Sequence, residues 1–501
     1  MEESVRQIKY GAILSYMTIA FNIVAALLYT PWMVRQIGDS QYALYVMATS
    51  MISLLMMDFG LGSATSKFIA EYNAKKQYDK ANEYIVNSFV IFSVISMVIF
   101  IVLVIVWLFF DVIYDNLKPE ELNVLKDLYL IVGAYSILLF PLSPLNSILG
   151  GWEKFIQLKL TILIQRVLNV ILIIIALCNG MGVFALVLVN ALTGILMNIL
   201  QLFFVKQIRK ICISWKQVSI GAIKEIAGFS IWLLISQVCQ NLLANLAPTI
   251  IGTRLTTTEV TLFSLALTLE RYVLMFSSGV NGLFLPKVSS IMIDKKNREK
   301  RITVLMIKVG KFSLSIIGCI VIGFSIVGRD FVILWMGREY SAIFINALVL
   351  MVPLLISSSQ QIGYTYIMAG GEIKYQAITD SATFALGFLL LLLLTKIMGV
   401  LGASLGFACS MLSNCIIMNI LYVKKLNIDI IYFYKNTYIK WLVCAILTCV
   451  FGKVFMNFFS IQVWSDFLIA GIVIVLIYTV LMLLIYFNPA EKKEIISIIK
   501  R

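Results

Sequence analysis

The sequence predicts an all-α integral membrane protein: fourteen transmembrane helices in two pseudo-symmetric six-helix lobes, two added C-terminal helices, and both termini on the cytoplasmic side. Three observations carry this. The chain is 61% hydrophobic and 13% charged with mean hydropathy +0.96, far from the balance of a soluble globular protein. Its Lys and Arg alternate between rich and poor loops. Its two halves repeat each other.

Apolar runs of about 20 residues each suffice to cross a hydrocarbon core roughly 30 Å thick. They fall at 10 to 33, 42 to 64, 84 to 110, 127 to 149, 158 to 178 and 181 to 205 in the first half. The second half has them at 226 to 251, 259 to 288, 303 to 327, 341 to 368, 376 to 396 and 399 to 423, and two more follow at 438 to 458 and 465 to 487. The organisation read from them is a first lobe at 1–205, a basic linker at 206–225, a second lobe at 226–423, and additional helices at 424–501. The first run is too long for a cleaved signal peptide and lacks a small-residue cleavage site.

Cytoplasmic loops collect Lys and Arg. With the N-terminus inside, only eight of the forty fall in outer loops: Arg35, Lys118, Lys126, Arg254, Arg329, Arg338, Lys396 and Lys453. Arg166 and Arg271 lie within runs, and the rest fall on the inner side. The net charge of +14 is thereby explained as positive-inside bias and attraction to anionic lipid, not a nucleic-acid surface.

The repeat is visible in short words. Met181-Gly182-Val183 leads to Met197-Asn198-Ile199-Leu200, and Met398-Gly399-Val400 leads to Met418-Asn419-Ile420-Leu421. Gly150-Gly151 parallels Gly370-Gly371, Pro141 parallels Pro353, and Pro31 parallels Pro248. Six helices between equivalent points give both halves one orientation, related by an axis along the membrane normal, the plan of an alternating-access carrier. Pro141, Pro144 and Pro353 are expected to kink spans four and ten, whereas Pro31 and Pro248 are expected to end spans one and seven.

Several chemistries are excluded or unsupported. Histidine is absent, which removes imidazole metal sites, Ser-His triads and histidine proton relays. The eight cysteines match neither a zinc site nor a disulfide framework, so no metal and no cofactor is expected. No GxxxxGK[ST] loop is present, so energy is expected from gradients, membrane potential or downstream consumption.

Charges inside a membrane cost at least about 2.5–3.5 kcal/mol each and so need a partner, water or a task. Arg166 in span five and Arg271 in span eight are candidates for an anionic group, with Lys308 and Lys311 near the inner end of span nine. Asp58, Glu270 and Asp380 are candidates for gating or ion pairing; a plain internal salt bridge with an arginine is the competing explanation. Glu270 and Arg271 fall near mid-membrane and the others toward the cytoplasmic side, and for both lysines snorkelling to the interface is the reading preferred over substrate binding. Neutral polar residues form stripes: Ser230, Gln237, Asn241 and Asn245 in span seven, Ser357, Gln361, Tyr364 and Thr365 in span ten, Thr161, Gln165 and Asn169 in span five, and Ser15, Thr18 and Asn22 in span one. Such faces suit many exchangeable hydrogen bonds to a sugar, or hydrogen bonds between helices.

Asp58-Phe59-Gly60-Leu61-Gly62 running to Phe68-Ile69-Ala70-Glu71-Tyr72, after Tyr29-Thr30-Pro31 and Ile37-Gly38, resembles the opening of prokaryotic polysaccharide exporters. Gly399-Val400-Leu401-Gly402-Ala403 adds a turn typical of them. The resemblance is to the Wzx-like polysaccharide (O-antigen or capsule repeat-unit) flippases of the multidrug/oligosaccharidyl-lipid/polysaccharide exporter superfamily. It implies two six-helix lobes, often two added helices, a cationic cavity, and passage of polyprenyl-diphosphate-linked oligosaccharide from the inner to the outer leaflet of a bacterial or archaeal cytoplasmic membrane. Membrane lipid, a proton or sodium ion and the polysaccharide polymerase machinery are the further partners it brings in. Unlike the lipid II flippase branch, the chain has no arginine early in span one. A cation-coupled multidrug or metabolite antiporter of the same superfamily is the nearest alternative. A membrane-embedded glycan polymerase or ligase would need a sizeable catalytic outer loop, which the chain lacks, so an enzyme is not expected.

Overall fold

The computed structural model describes residues 2–57, 60–208, 217–281, 288, 291, 298–369, 372–489 and 491–492. Those residues form helices joined by short turns, and no strand occurs among them. Closely packed contacts divide the chain into two compact units, Met1–Ser264 and Leu265–Arg501.

The first unit opens with α1 (Glu2–Ile37), α2 (Asp39–Leu55), α3 (Leu61–Ala74) and α4 (Tyr78–Leu108). Then come α5 (Pro119–Leu139), α6 (Pro144–Gly151), α7 (Phe155–Cys178), α8 (Gly182–Lys206) and α9 (Ile220–Gly252), with α10 (Thr257–Asn281) crossing the boundary between units. α1 packs on α7, α7 on α8, and α2 on α5 and α9. α9, assigned by the repeat to the second half, packs within the first unit on α2, α3 and α4. Asn87 on α4 holds the segment entering it: Nδ2 donates to Gln217 O at 3.0 Å and Oδ1 accepts from Ser219 N at 2.9 Å. The Tyr84 hydroxyl donates to Glu225, and at the other end Asn116 Nδ2 donates to Thr253 O.

The second unit contains α11 (Arg298–Trp335), α12 (Ala342–Ser359), α13 (Gln361–Ala369), α14 (Ile373–Leu426), α15 (Ile430–Phe458) and α16 (Trp464–Leu481). At 1.5 Å per residue, the 54 residues of α14 would reach roughly 80 Å, far beyond a bilayer. Gly399 (φ 60°, ψ −137°) turns it into two arms, which are the runs expected at 376 to 396 and 399 to 423. Gly182, its partner in the repeat, also has positive φ (+62°), a conformation glycine adopts without a Cβ penalty. The repeated Met-Gly-Val word is therefore a repeated backbone turn. Beyond it, a Cβ on Gly402 would lie 2.0 Å from Leu394 O and one on Gly406 2.7 Å from Leu391 N, so the arms close to backbone contact only through glycine.

The prolines depart from expectation. α1 runs six residues past Pro31 to Ile37, and α9 runs four past Pro248 to Gly252, so neither proline ends its helix. Instead α1 bends by 42° between Ile13–Ala25 and Leu27–Ile37, one turn before Pro31. Span four breaks at its prolines, through a 3₁₀ turn at Phe140–Leu142, but α12 continues through Pro353 and breaks at Gln360. In lipid, ending a helix strands several backbone groups, whereas a proline removes one donor.

By length and composition, ten helices among the described residues can cross a membrane, or eleven with the bent α1. Their apolar side chains face outward as well as inward; Met97, Leu108, Phe458 and Leu484 are exposed where lipid would cover them. Phe331, Trp335, Trp464 and Phe467 pack ring against ring where one end of α11 meets α16.

α15 and α16, outside the repeat, pack on α11. Gly310 and Gly318 open the surface of α11 to Phe433 and Trp441, Trp441 Nε1 donates to the Tyr478 hydroxyl at 2.9 Å, and the Tyr486 hydroxyl donates to Thr437 O at 3.0 Å.

Candidate functional site

In the first unit, α7 places Arg166 near its middle, about 17 Å from either end. Asn169, one turn on, donates through Nδ2 to Asn190 Oδ1 (2.6 Å) and Thr193 Oγ1 (3.3 Å) on α8. Asn190 Nδ2 in turn donates to the Tyr45 hydroxyl on α2 at 3.2 Å and to Leu186 O at 2.7 Å. Three helices are thus joined by an amide and hydroxyl chain at intramembrane depth. Arg166 is exposed on the surface of the unit, with its charge within electrostatic reach of Tyr45. Tyr42 lies beside Tyr45 with ring centres 6.4 Å apart, and Tyr29 on α1 interacts electrostatically with both. Thr161 is drawn into a neighbouring link, Gln201 Nε2 donating to it at 3.3 Å and to Asn146 Oδ1 at 3.0 Å.

Of the α9 stripe, Gln237 and Asn245 are half-buried and Asn241 is exposed, off the face where Ser236, Leu243, Ala247 and Ile251 are buried. Asn241 Nδ2 returns to Gln237 O at 2.9 Å. Asn22 on α1 is half-buried, while Ser15 and Thr18 donate to their own helix at Gly11 O and Leu14 O. Asp58, Gly370-Gly371 and the Ser230 side chain lie outside the described residues.

In the second unit Glu270 is buried and Arg271, its neighbour on α10, is exposed. Among the described residues neither forms an ion pair within that unit, nor does Arg166 within its own. Lys308 is exposed. Lys311 is 7% exposed, and its Nζ donates to Glu491 at 2.9 and 3.3 Å beside the Tyr486 ring, so its charge secures the C-terminal segment. Asp380 is buried and accepts from Asn414 Nδ2 at 2.7 Å; the same nitrogen reaches Thr383 Oγ1 at 3.2 Å. This bridge joins the two arms of α14, as Asn169, Asn190 and Thr193 join α7 and α8. In α13, Gln361 is half-buried and the Tyr364 hydroxyl accepts from Gln376 Nε2.

Sequence reasoning missed Tyr45 and Asn190, whose only signal was a polar residue within an apolar run. It also missed Gln360, whose Nε2 donates to the Tyr434 hydroxyl at 2.6 Å, and Ser359, which shares a 2.5 Å hydrogen bond with Tyr438. Tyr434 and Tyr438 are one turn apart and tie the break in span ten to α15.

Long lipid-facing helices, glycine-turned helix pairs in both units, and polar chains with exposed arginines within the apolar helices define a multi-pass membrane protein. The chain belongs to the polysaccharide biosynthesis protein family, whose sequence profile matches residues 8–292, more than half its length. It has the fold of an inward-facing multidrug resistance MATE family transporter of the MOP superfamily: TM-score 0.69, 14% identity, 83% of this chain and 99% of the other covered. The lipid II flippase MurJ, in an inward closed conformation, matches with TM-score 0.64 and 15% identity over 96% of this chain and 98% of its own. A MOP superfamily transporter from Pyrococcus furiosus Vc1, described as having a binding pocket of reversed polarity, matches with TM-score 0.61 and 14% identity over 84% and 94%. No curated protein matches by sequence.

Proposed function

We propose that the protein is a flippase that carries polyprenyl-diphosphate-linked oligosaccharide repeat units across the cytoplasmic membrane of a bacterium or archaeon by alternating access, for assembly of a surface polysaccharide such as O-antigen or capsule. The observation that carries this reading is an exposed intramembrane arginine on each of two helices, Arg166 on α7 and Arg271 on α10, with Arg166 beside a chain of amides and hydroxyls. Each arginine is a station for the diphosphate along its passage. Gln237, Asn241, Asn245, Gln361, Tyr364, Asn169 and Asn22 offer exchangeable hydrogen bonds along the glycan path, and the polyprenyl tail stays in lipid. The chain spans the bilayer fourteen times with both termini inside, and hands its cargo to the polymerase machinery.

Energetics agree with the direction. An inside-negative potential favours outward movement of an anion by about 2.3 kcal/mol per charge per 100 mV, and a diphosphate carries about two charges. The same field draws an empty cationic site back inward. Asp380, a buried carboxylate beside Asn414 and Thr383, is where a proton or sodium ion would couple to this cycle. A drug antiporter would want a carboxylate within the first-unit chain, which among the described residues is built of Asn, Thr and Tyr with Arg166 beside it.

In a strain lacking the gene, Arg166→Ala or Arg271→Ala should fail to restore export, with complete lipid-linked glycan accumulating on the inner leaflet. Full export by the double variant would refute the assignment.

A further inference from the structure

Where α14 gives way to α15, the chain gathers lysines without acids to match. Lys424 and Lys425 close α14, and Lys435 and Lys440 lie within the first three turns of α15. All four are exposed, and none forms an ion pair among the described residues. Between Asp380 and Asp466 the sequence has a single acidic residue, Asp429, and its Oδ1 accepts from Tyr432 N at 2.8 Å to cap α15. Ammonium groups collected in this way repel one another and call for an anion. The corner that carries them is built firmly. Asn427 takes a left-handed turn (φ 50°), Ile428 N donates to Tyr422 O at 3.0 Å, and Asn419 Nδ2 donates to the Tyr434 hydroxyl at 2.8 Å, tying the two helices. Lys425 Nζ lies 4.9 Å from the centre of the Tyr375 ring, which holds the ammonium against the start of α14.

The neighbours of these lysines say what kind of anion. Ile431, Lys435 and Ile439 follow at four-residue spacing on one face of α15, and all three are exposed, Ile431 to 82%. Leu442, Val443 and Ile446 continue the exposed apolar surface further along the helix, where acyl chains would cover it. Lys435 and Lys440 therefore leave the protein on its lipid side. The 29 residues of α15 reach roughly 43 Å, more than a hydrocarbon core and close to a whole bilayer, so its first turns lie at headgroup depth. A lysine there extends its stem along lipid and its charge to phosphate. We propose that the corner between α14 and α15 is a headgroup site for an anionic glycerophospholipid, whose phosphate Lys424, Lys425, Lys435 and Lys440 attract while its acyl chains lie along α15. Four lysines beside a spanning helix are the number at which such recognition begins. The helices that lie outside the repeat thereby gain a task of their own, a lipid-anchored edge on the second unit. General attraction of a basic surface to anionic lipid, with no site, is the competing account.

The test titrates detergent-solubilised full-length protein with phosphatidylglycerol or with phosphatidylcholine of the same acyl chains, and counts bound lipid by native mass spectrometry. Wild type should bind phosphatidylglycerol about tenfold or more tightly. Lys425→Gln and Lys435→Gln should each lower that affinity about fivefold and leave phosphatidylcholine unchanged. All the lysines substituted are exposed, so the variants should fold as wild type does. Lys75→Gln combined with Lys80→Gln removes two charges from the surface of the first unit and should change neither affinity. Equal wild-type affinity for the two lipids overturns the site. So does a loss from the Lys75 and Lys80 pair as large as that from Lys425 and Lys435, the outcome of general surface charge. Displacement of bound phosphatidylglycerol by an equal concentration of polyprenyl diphosphate would give the corner to cargo and overturn the proposal as well. The proposal needs only a bilayer around α15, so it stands or falls apart from the flippase reading.

Discussion

Asn87 gives the sharpest test of how the first unit is held together. It is fully buried, and its one amide group satisfies two backbone groups of the segment entering α9, Gln217 O at 3.0 Å and Ser219 N at 2.9 Å, while also donating to Glu83 O at 2.7 Å. Replacement by Ala removes both partners. Glu83 O keeps its place in the helical ladder, so two groups bear the loss, each costing about 1–3 kcal/mol if water cannot reach it. Val218 between them is exposed, so some water will enter, and the lower part of the range, about 2 kcal/mol in total, is expected. For a unit of this size that corresponds to a drop of about 5 °C in apparent Tm. Asn87→Asp should fall between, since a carboxylate still accepts from Ser219 N but faces Gln217 O unfavourably. Thermal unfolding in detergent measures the first effect. Trypsin cleavage at the linker residues Lys206 to Lys224 measures the release of the segment. An Asn87→Ala protein with unchanged Tm and no faster cleavage would refute the reasoning.

The Lys311–Glu491 pair should show coupling of about 1–2 kcal/mol in a double-mutant cycle with Lys311→Met and Glu491→Gln, because the lysine is nearly enclosed. Coupling indistinguishable from zero in thermal unfolding would mean that the contact contributes nothing. Gly402→Ala should abolish recovery of folded protein, since its Cβ meets backbone atoms of Leu394 that no rotamer change can move. Gly182→Ala, with only Gln41 Oε1 at 3.9 Å, should cost about 1–2 kcal/mol for its left-handed backbone. Size-exclusion yield in detergent ranks the two, and the reverse order would be decisive against the packing argument.

Much of this fold was legible because lipid imposes simple rules. Apolar runs marked the helices, and the repeated Met-Gly-Val word marked a turn that needs glycine at both places. The prolines misled. Pro353 marks a kink in span ten, yet the helix runs on through it and breaks at Gln360, where a side-chain bond to Tyr434 anchors the change of direction. Arg166 was legible because a charge in an apolar run is conspicuous. Asn190 and Tyr45 were not, because each is unremarkable until α2, α7 and α8 come together. Lys311 read as an interfacial cation because Glu491 is far along the chain and nothing local announces it.

The seventh apolar run changes what half of this polypeptide can mean. The sequence duplicates at the basic linker, yet α9 lies against α2, α3 and α4, stapled at one end by Asn87 and Tyr84 and at the other by Asn116. A truncated polypeptide stopping at residue 205 would leave those helices with a bare flank and a buried amide facing nothing. A fragment meant to keep these contacts should therefore run through α9 to Gly252 rather than stop at the linker.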